Sequence, residues 1–463
     1  MSENNSTSTN TAPQSEKEIA AARRNAAFNW LVAIVAIAVI AIKFPSFTQT
    51  ALVFIITLGV LVFVHEWGHY QFGRWGGMKI NRFGIGFPPW VFTKRYKGID
   101  YSIGALPIGG MVDIAGLGSE EEMIATAQHD EEAVHNSQRA GRRDVPHGQK
   151  LFQDATLGWR FMTLFAGPLM NFLFALVMFI GVFTIWGVID TQKSGTSNSI
   201  GTVNYNTPAD KAGLQEGDKI IGVNGFATDN TGTISRLIRN SGARFAQVKL
   251  STPAVGFDAR VDAGEKKIAP VTLTLLRDGK TLQKPVTPTF QDLPMVTANG
   301  IESYRSPAIG IEFEENLVFQ KVGIAEAAKT GVLMSVGMTV QLLQVVGKAL
   351  TFQLNPAERR GIGGPVKIAQ AVGKASRGGP QQLFLFAGLL SMNLGLMNLL
   401  PFPALDGGRI LFLGYEFVFR KPVDAKKETF VHMAGMVMLL AFMLFITVRD
   451  VLPWLQSNLK NVF

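Results

Sequence analysis

The sequence predicts a polytopic α-helical membrane protein with an inserted soluble, β-rich α+β domain, and three observations predict it. Five stretches, 25–42, 44–64, 161–189, 383–405 and 429–448, contain no Asp, Glu, Lys or Arg. Each reaches or nearly reaches the roughly 20 apolar residues that cross a bilayer core as a helix. Charged residues are only 17% of the 463-residue chain while 47% is hydrophobic, against about 25% charged in soluble domains. Between the third and fourth stretches lies a long polar segment with strand-like alternation. There, Val271-Thr272-Leu273-Thr274-Leu275-Leu276 runs into Arg277-Asp278-Gly279-Lys280, the chemistry of a two-residue hairpin turn. The same figures exclude a mainly disordered chain. The absence of cysteine excludes a disulfide scaffold, a thiolate-bound metal, an iron–sulfur centre and a cysteine nucleophile, so any metal site draws on Asp, Glu and six His.

Taken in order, residues 1–24 form a polar tail and 25–43 an extra transmembrane helix. Arg23-Arg24 before an apolar run also fits a signal peptide, but the long polar lead and the lack of a small-residue cleavage pattern favour a retained helix. Residues 44–117 hold the second span and a Gly-rich, short-stranded segment; 118–158 is an insert, acidic then basic, whose His129, His135 and His147 read as solvated. A helix follows at 159–189, then the soluble domain at 200–290 and a connector at 291–330. An apolar stretch, 331–352, carries Gln341, Gln344 and Lys348 at helical spacing; it reads better as an interfacial amphipathic helix than as a span, within a segment 331–382. A span at 383–408 and a loop with the last span at 409–463 complete the chain.

Lys and Arg orient this set. The net charge of +9 suggests nucleic acid in a soluble protein, but here the excess gathers in two places. One, after the second span, holds Arg74, Lys79, Arg82, Lys94, Arg95, Lys97, Arg139, Arg142, Arg143 and Lys150; the other holds Arg409, Arg420, Lys421, Lys426 and Lys427. Positive loops stay inside, which predicts a plasma (inner) membrane protein with a cytoplasmic amino terminus, an extracytoplasmic soluble domain and no nucleic acid partner. In that domain, Ala212-Gly213-Leu214 followed by Gly217-Asp218-Lys219-Ile220 resembles the PDZ domains of bacterial envelope proteases. The resemblance implies that a peptide or protein segment docks there.

The chemistry begins at the end of the second span. In Phe63-Val64-His65-Glu66-Trp67-Gly68-His69 the two histidines stand at i and i+4, so a helix projects both imidazoles from one face toward one zinc ion. Glu66 stands where it can take a proton from water, whose pKa must fall from about 15.7 toward 7 for hydrolysis at neutral pH. Ionisable groups at bilayer depth cost about 2.5 kcal/mol or more each unless buried, paired or metal-bound. A catalytic zinc needs a third protein ligand. Arg74, Lys79 and Asn81 downstream supply none; the candidate is Asp406, at the end of another uncharged stretch behind Pro401 and Pro403, which otherwise reads as an ordinary turn residue at a helix end.

His-Glu-x-x-His at 65–69, Asn-x-x-Pro-x-Pro-x-Leu-Asp-Gly-Gly at 398–408 and Gly-Pro-x-x-Asn at 167–171 together resemble the site-2 protease family of intramembrane zinc metalloproteases. The resemblance spans most of the chain. It implies His65, His69 and Asp406 as zinc ligands, Glu66 as general base, Asn171 beside the site, and Asn393 and Asn398 against substrate, with Pro401 and Pro403 supporting. It implies a membrane-associated β-hairpin at 82–113 that can pair with an unwound substrate. Its substrates would be single-pass membrane proteins cut during regulated intramembrane proteolysis, anti-sigma factor type regulators or remnant signal peptides. A non-catalytic PDZ scaffold and a metal transporter are the competing classes. The first leaves Glu66 and Asp406 without a role, and the second wants more than one intramembrane cluster.

Overall fold

The structure, a computed structural model, describes residues 42–43, 45–117, 148–190, 194–204, 206–242, 268–297, 300–351, 353–354 and 363–460. The expected first helix at 25–43 and most of the insert at 118–158 lie outside them. Helices α1 (Pro45–Trp75) and α2 (Leu157–Ile185) come first and second, with strands β1 (Ile80–Tyr96) and β2 (Ile99–Ile114) between them. The β-rich region contains β3 (Val188–Ile189), β4 (Gly195–Val203), α3 (Pro208–Lys211), β5 (Lys219–Val223), β6 (Phe226–Ala227), α4 (Thr231–Arg239), β7 (Val271–Arg277), β8 (Lys280–Val286), β9 (Thr289–Thr297), β10 (Gly300–Ala308), β11 (Ile311–Asn316) and β12 (Phe319–Gln320). Then come α5 (Ile324–Leu350), α6 (Pro365–Arg377), α7 (Pro380–Asn398), α8 (Asp406–Phe419) and α9 (Ala425–Lys460).

Among the described residues, four helices are long and apolar enough to cross a bilayer: Thr48–Trp75, Leu157–Ile185, Ile324–Ala349 and Lys427–Val451. Together with the family below, they make this an integral membrane protein. Three expectations shift. The stretch expected to span over 383–405 is instead helix α7, which stops at Asn398; Gln381, Gln382, Asn393 and Asn398 dilute its apolar character, and it is not among the four. Conversely α5, expected as interfacial, has the length and composition of a span, because its polar stripe occupies only its second half. It packs along α2 and α7: Ala327 joins a core with Ala175, Phe179, Val182, Phe183, Leu385 and Met392. The chain after Asp406, read as a loop, is helix α8.

Small residues let these helices approach closely. A Cβ on Gly68 of α1 would lie 2.4 Å from the Ala166 carbonyl of α2, and one on Gly388 of α7 would lie 2.7 Å from the Phe179 ring of α2. Where no hydrophobic force acts between apolar helices in lipid, such contact supplies the packing. Buried Ser391 then donates to the Asn171 carbonyl at 2.9 Å, tying α7 to α2.

The hairpin is more folded than its sequence suggests. Lys97 (φ 50) and Gly98 (φ 80) turn β1 back on β2, with Tyr96 opposite Ile99. The first half of β1, however, pairs on two sides: Phe83 faces both Val112 and Tyr101, and Ile85 both Gly110 and Ile103. Two strands therefore curl into a four-segment sheet that packs through Ile80, Phe83 and Ile114 on Tyr70 and Leu164. The segment at 110–112 lies against α1, where a Cβ on Gly110 would sit 2.7 Å from both Val62 and Glu66.

In the β-rich region the sheet order is β11-β4-β5-β7-β8, with β6 beside β5. The expected turn forms, with Asp278 (φ 49) and Gly279 (φ 75) joining β7 to β8, and a second, Asn224 (φ 51) and Gly225 (φ 79), joins β5 to β6. The sheet does not close at residue 290, since β11 pairs with β4 and removes an exposed edge. The segment read as a connector also holds the hairpin β9–β10, for which Asn299-Gly300 was the available sequence signal.

Candidate metal centre

His65 and His69 sit on α1 with both rings turned toward α2, and both are buried. Asp406 is the first residue of α8, presented by the loop 399–405 that leaves α7. The three ligand atoms form a triangle: His65 Nε2 lies 3.2 Å and His69 Nε2 3.3 Å from the same Asp406 oxygen, Oδ2, and the two nitrogens are 3.2 Å apart. Zinc bonds of about 2.0–2.1 Å at the tetrahedral angle put neighbouring ligand atoms about 3.3 Å apart. The donor chemistry fits as well. Asp406 Oδ2 is buried with no hydrogen bond, and lone pairs this close repel unless a cation sits among them. Among the described residues this is the group of His, Asp and Glu able to hold a metal ion.

The surroundings set the tautomers. His69 Nδ1 donates to the Thr163 carbonyl at 2.8 Å, which leaves Nε2 bare toward the triangle. Asn171 Nδ2 stands 3.1 Å from His65 Nδ1, while Asn171 Oδ1 is buried without a partner. A half-turn of that amide puts Oδ1 on a protonated Nδ1, satisfies the orphaned oxygen and bares His65 Nε2 in the same way. Gly167 completes the fit: a Cβ there would lie 2.3 Å from His69 Nε2 and 2.9 Å from His65 Cε1.

Glu66, one residue past His65, faces the hairpin instead. A Cβ on Gly110 would lie 2.7 Å from its Cγ, so the edge of the curled sheet lies directly beside it. On the other side, the ligand loop is held from α9. Ala404, a non-glycine residue at φ 79, donates its N–H to His432 Nδ1 at 3.0 Å, and a Cβ on Gly435 would lie 2.4 Å from Pro403. Gly407 and Gly408 leave no room for side chains, lying under the carbonyls of Leu400 and Phe402.

The structure brings His65, His69, Asp406 and Asn171 together, with Glu66 beside them. Asn393 and Asn398 are half-buried on α7, and neither has a hydrogen bond to the His–His–Asp group among the described residues. Pro403 acts through packing under α9, and Pro401 is exposed. Sequence reasoning missed Thr163 and His432. Only His432 carried a signal, as the sole ionisable side chain in the stretch 429–448.

Two imidazoles and a carboxylate converge here between apolar helices, a donor set suited to zinc, and the comparisons with known proteins make the chain a zinc metalloprotease of the membrane. The chain belongs to peptidase family M50, the site-2 protease family, whose model matches residues 53–442. It is similar to a protein named as a zinc metalloprotease in Mesorhizobium japonicum, 32% identical over 408 residues, covering 87% of this chain and 99% of that one. A protein named as protease eep in Enterococcus faecalis is 27% identical across 87% of this chain and 99% of its own. One named as a zinc metalloprotease in Staphylococcus aureus is 29% identical across 88% and 99%.

Proposed function

We propose that this zinc metalloprotease hydrolyses peptide bonds within the transmembrane segments of membrane-anchored proteins during regulated intramembrane proteolysis, with His65, His69 and Asp406 as its ligands and Glu66 as its general base. The observation that carries the reading is the juxtaposition of Glu66 with both the ligand triangle and the sheet edge at 110–112. Zinc bound there supplies Lewis acidity, lowering the pKa of water toward 7 and polarising a carbonyl. Glu66 accepts the proton that water gives up and returns it to the leaving amine. Thr163 and Asn171 hold the imidazoles in the tautomer that leaves each Nε2 lone pair free.

A helical substrate hides its carbonyls in i to i−4 bonds, so it must unwind before it can be cut. The curled sheet offers an edge beside Glu66 on which an unwound segment gains backbone hydrogen bonds in exchange. Proline at edge amides of the hairpin should lower turnover while zinc content stays intact; unchanged turnover removes this step. Asn393 and Asn398, half-buried on α7, are proposed to contact that substrate near the loop.

We read the β-rich region as a PDZ-like module on the extracytoplasmic side, with the amino terminus cytoplasmic in an inner (plasma) membrane. The support is the Pro208 helix start, the β5–β6 turn and the concentration of Lys and Arg at the opposite end. The substrates would be single-pass regulators of the anti-sigma factor type or remnant signal peptides. The deciding experiment reconstitutes the full chain with a single-pass substrate. Glu66→Gln should keep zinc at one per chain and lose at least about 100-fold in cleavage; equal cleavage by the variant would sink the mechanism.

A further inference from the structure

At the end of α1 farthest from Pro45, one helical turn beyond His69, a small cavity of about 70 Å³ opens to the surface. Arg74, Lys79 and Lys97 line it, with Met78, Ile80 and Gln149, and among the described residues no carboxylate does. Arg74 stands at the end of α1, Lys79 in the link from α1 to β1, and Lys97 at the turn of the curled sheet. Arg74 is pre-positioned: its Nη1 donates to the Tyr70 hydroxyl at 3.1 Å, and its guanidinium lies 5.5 Å from the centre of that ring. The Tyr70 hydroxyl in turn meets Tyr101 at 2.8 Å. Asp100, the acid nearest the turn, is engaged by Arg95 at 3.8 Å.

Lys97 adds a second, independent observation. It holds φ 50 at the first position of a two-residue turn, where asparagine, aspartate or glycine is favoured and a lysine costs about 1 kcal/mol or more. A strained backbone position that keeps a lysine marks function better than folding does. The depth of the cavity is marked by two indoles. Trp75 is 60% and Trp159 40% exposed, and Gly76 packs on Trp159. Exposed tryptophan at the end of an apolar helix is the signature of the headgroup layer.

We propose that this cavity binds the phosphate of an anionic phospholipid headgroup, and that the bound lipid ties the turn of the curled sheet to the end of the motif helix. The cations take the phosphate oxygens, while Met78 and Ile80 floor the site toward the glycerol ester. Free inorganic phosphate shares the first chemistry but not the second. The indoles at this level favour the lipid.

The test uses the full chain in vesicles of phosphatidylcholine with a minority of phosphatidylglycerol, reading which lipid remains bound after mild detergent extraction. Wild type should retain phosphatidylglycerol over phosphatidylcholine at least fivefold above the vesicle ratio. Lys97→Gly and Lys79→Gln should each cut that preference about fivefold. Lys97→Gly relieves the strained turn, so its melting temperature in neutral detergent should not fall; a lost preference with an unchanged or raised Tm cannot be unfolding. No preference in wild type, or the same preference in both variants, overturns the proposal. Added inorganic phosphate should displace no more lipid than chloride at equal ionic strength. Selective displacement by phosphate would assign the cavity to the free anion and overturn the lipid.

Discussion

Gly167 shows how little tolerance the proposed metal shell has. A methyl group there would lie 2.3 Å from His69 Nε2, the atom proposed to face the zinc, and 2.6 Å from His69 Cε1. Gly167→Ala should therefore turn the ring and weaken zinc binding about 10- to 100-fold, the usual scale for disturbing what orients a ligand. Gly59→Ala on the same apolar background meets nothing within 4 Å and should bind zinc as wild type does. Metal titration of the two purified variants checks the pair. His432 makes the complementary case, acting by acceptance. His432→Phe keeps the ring volume but removes the acceptor of the Ala404 N–H, and should lower zinc affinity or turnover about tenfold. His432→Asn, whose Oδ1 can stand where Nδ1 stood, should restore most of it. A merely space-filling His432 predicts the reverse ranking.

Elements of the β-rich region rest on one ion pair that the sequence did not announce. Arg277 closes β7 and grips Asp218 bidentately, Nε to Oδ1 at 2.6 Å and Nη2 to Oδ2 at 2.7 Å, while the Gln215 N–H donates to the same carboxylate at 2.9 Å. Asp218 is 1% exposed and Arg277 21%. Asp218→Asn should cost this region about 2–4 kcal/mol, the lower end being favoured by the partly wet arginine. Burial alone pushes the Asp218 carboxyl up, but the Arg277 fork and the Gln215 amide outweigh it and hold it below its ordinary value. The stability it lends is therefore complete above the unfolded Asp value of about 3.9 and lost as pH falls through the lower native value. Hydrogen exchange of β5 and β7 should be flat from neutral pH to about 5, after correction for intrinsic rates, and protection should fall at more acid pH. In Asp218→Asn the acid loss attributable to this pair should vanish. The turns of this region were legible because Asp-Gly and Asn-Gly leave the backbone few choices. The pair was not, because 59 residues separate its partners.

For the whole molecule, what could be read in advance was what repeats locally: uncharged helices, the i, i+4 histidines, the glycine-bearing turns. What could not be read depends on where distant segments meet. Nothing near Gly84 announces that the first half of β1 will be paired on both flanks, so a simple hairpin was the natural expectation. The end of α7 at Asn398 escaped for a related reason. Apolar residues continue to Leu405, but Pro401 and Pro403 spend them on a loop that delivers Asp406 to α1. Chelation tests the assembled centre as a unit. Stripping zinc should abolish cleavage while leaving the β-rich region's exchange pattern intact, since its core of Ile220, Val223, Leu273 and Leu275 shares no residue with the metal-bearing helices.

Helix α9 is fastened at two heights. His432 receives the Ala404 N–H, and the buried Asp450 carboxylate receives the Gly364 N–H at 2.9 Å, at the start of α6. Eighteen residues of helix hold those anchors about 27 Å apart, close to the thickness of a bilayer core. Each residue added or removed between them would swing one anchor about 100° around the axis and slide it about 1.5 Å. Over 436–448, then, the gene can change its letters so long as it stays apolar, but not their number, whereas Gly435 is fixed by its contact with Pro403: a lost codon there should be as damaging as a lost ligand.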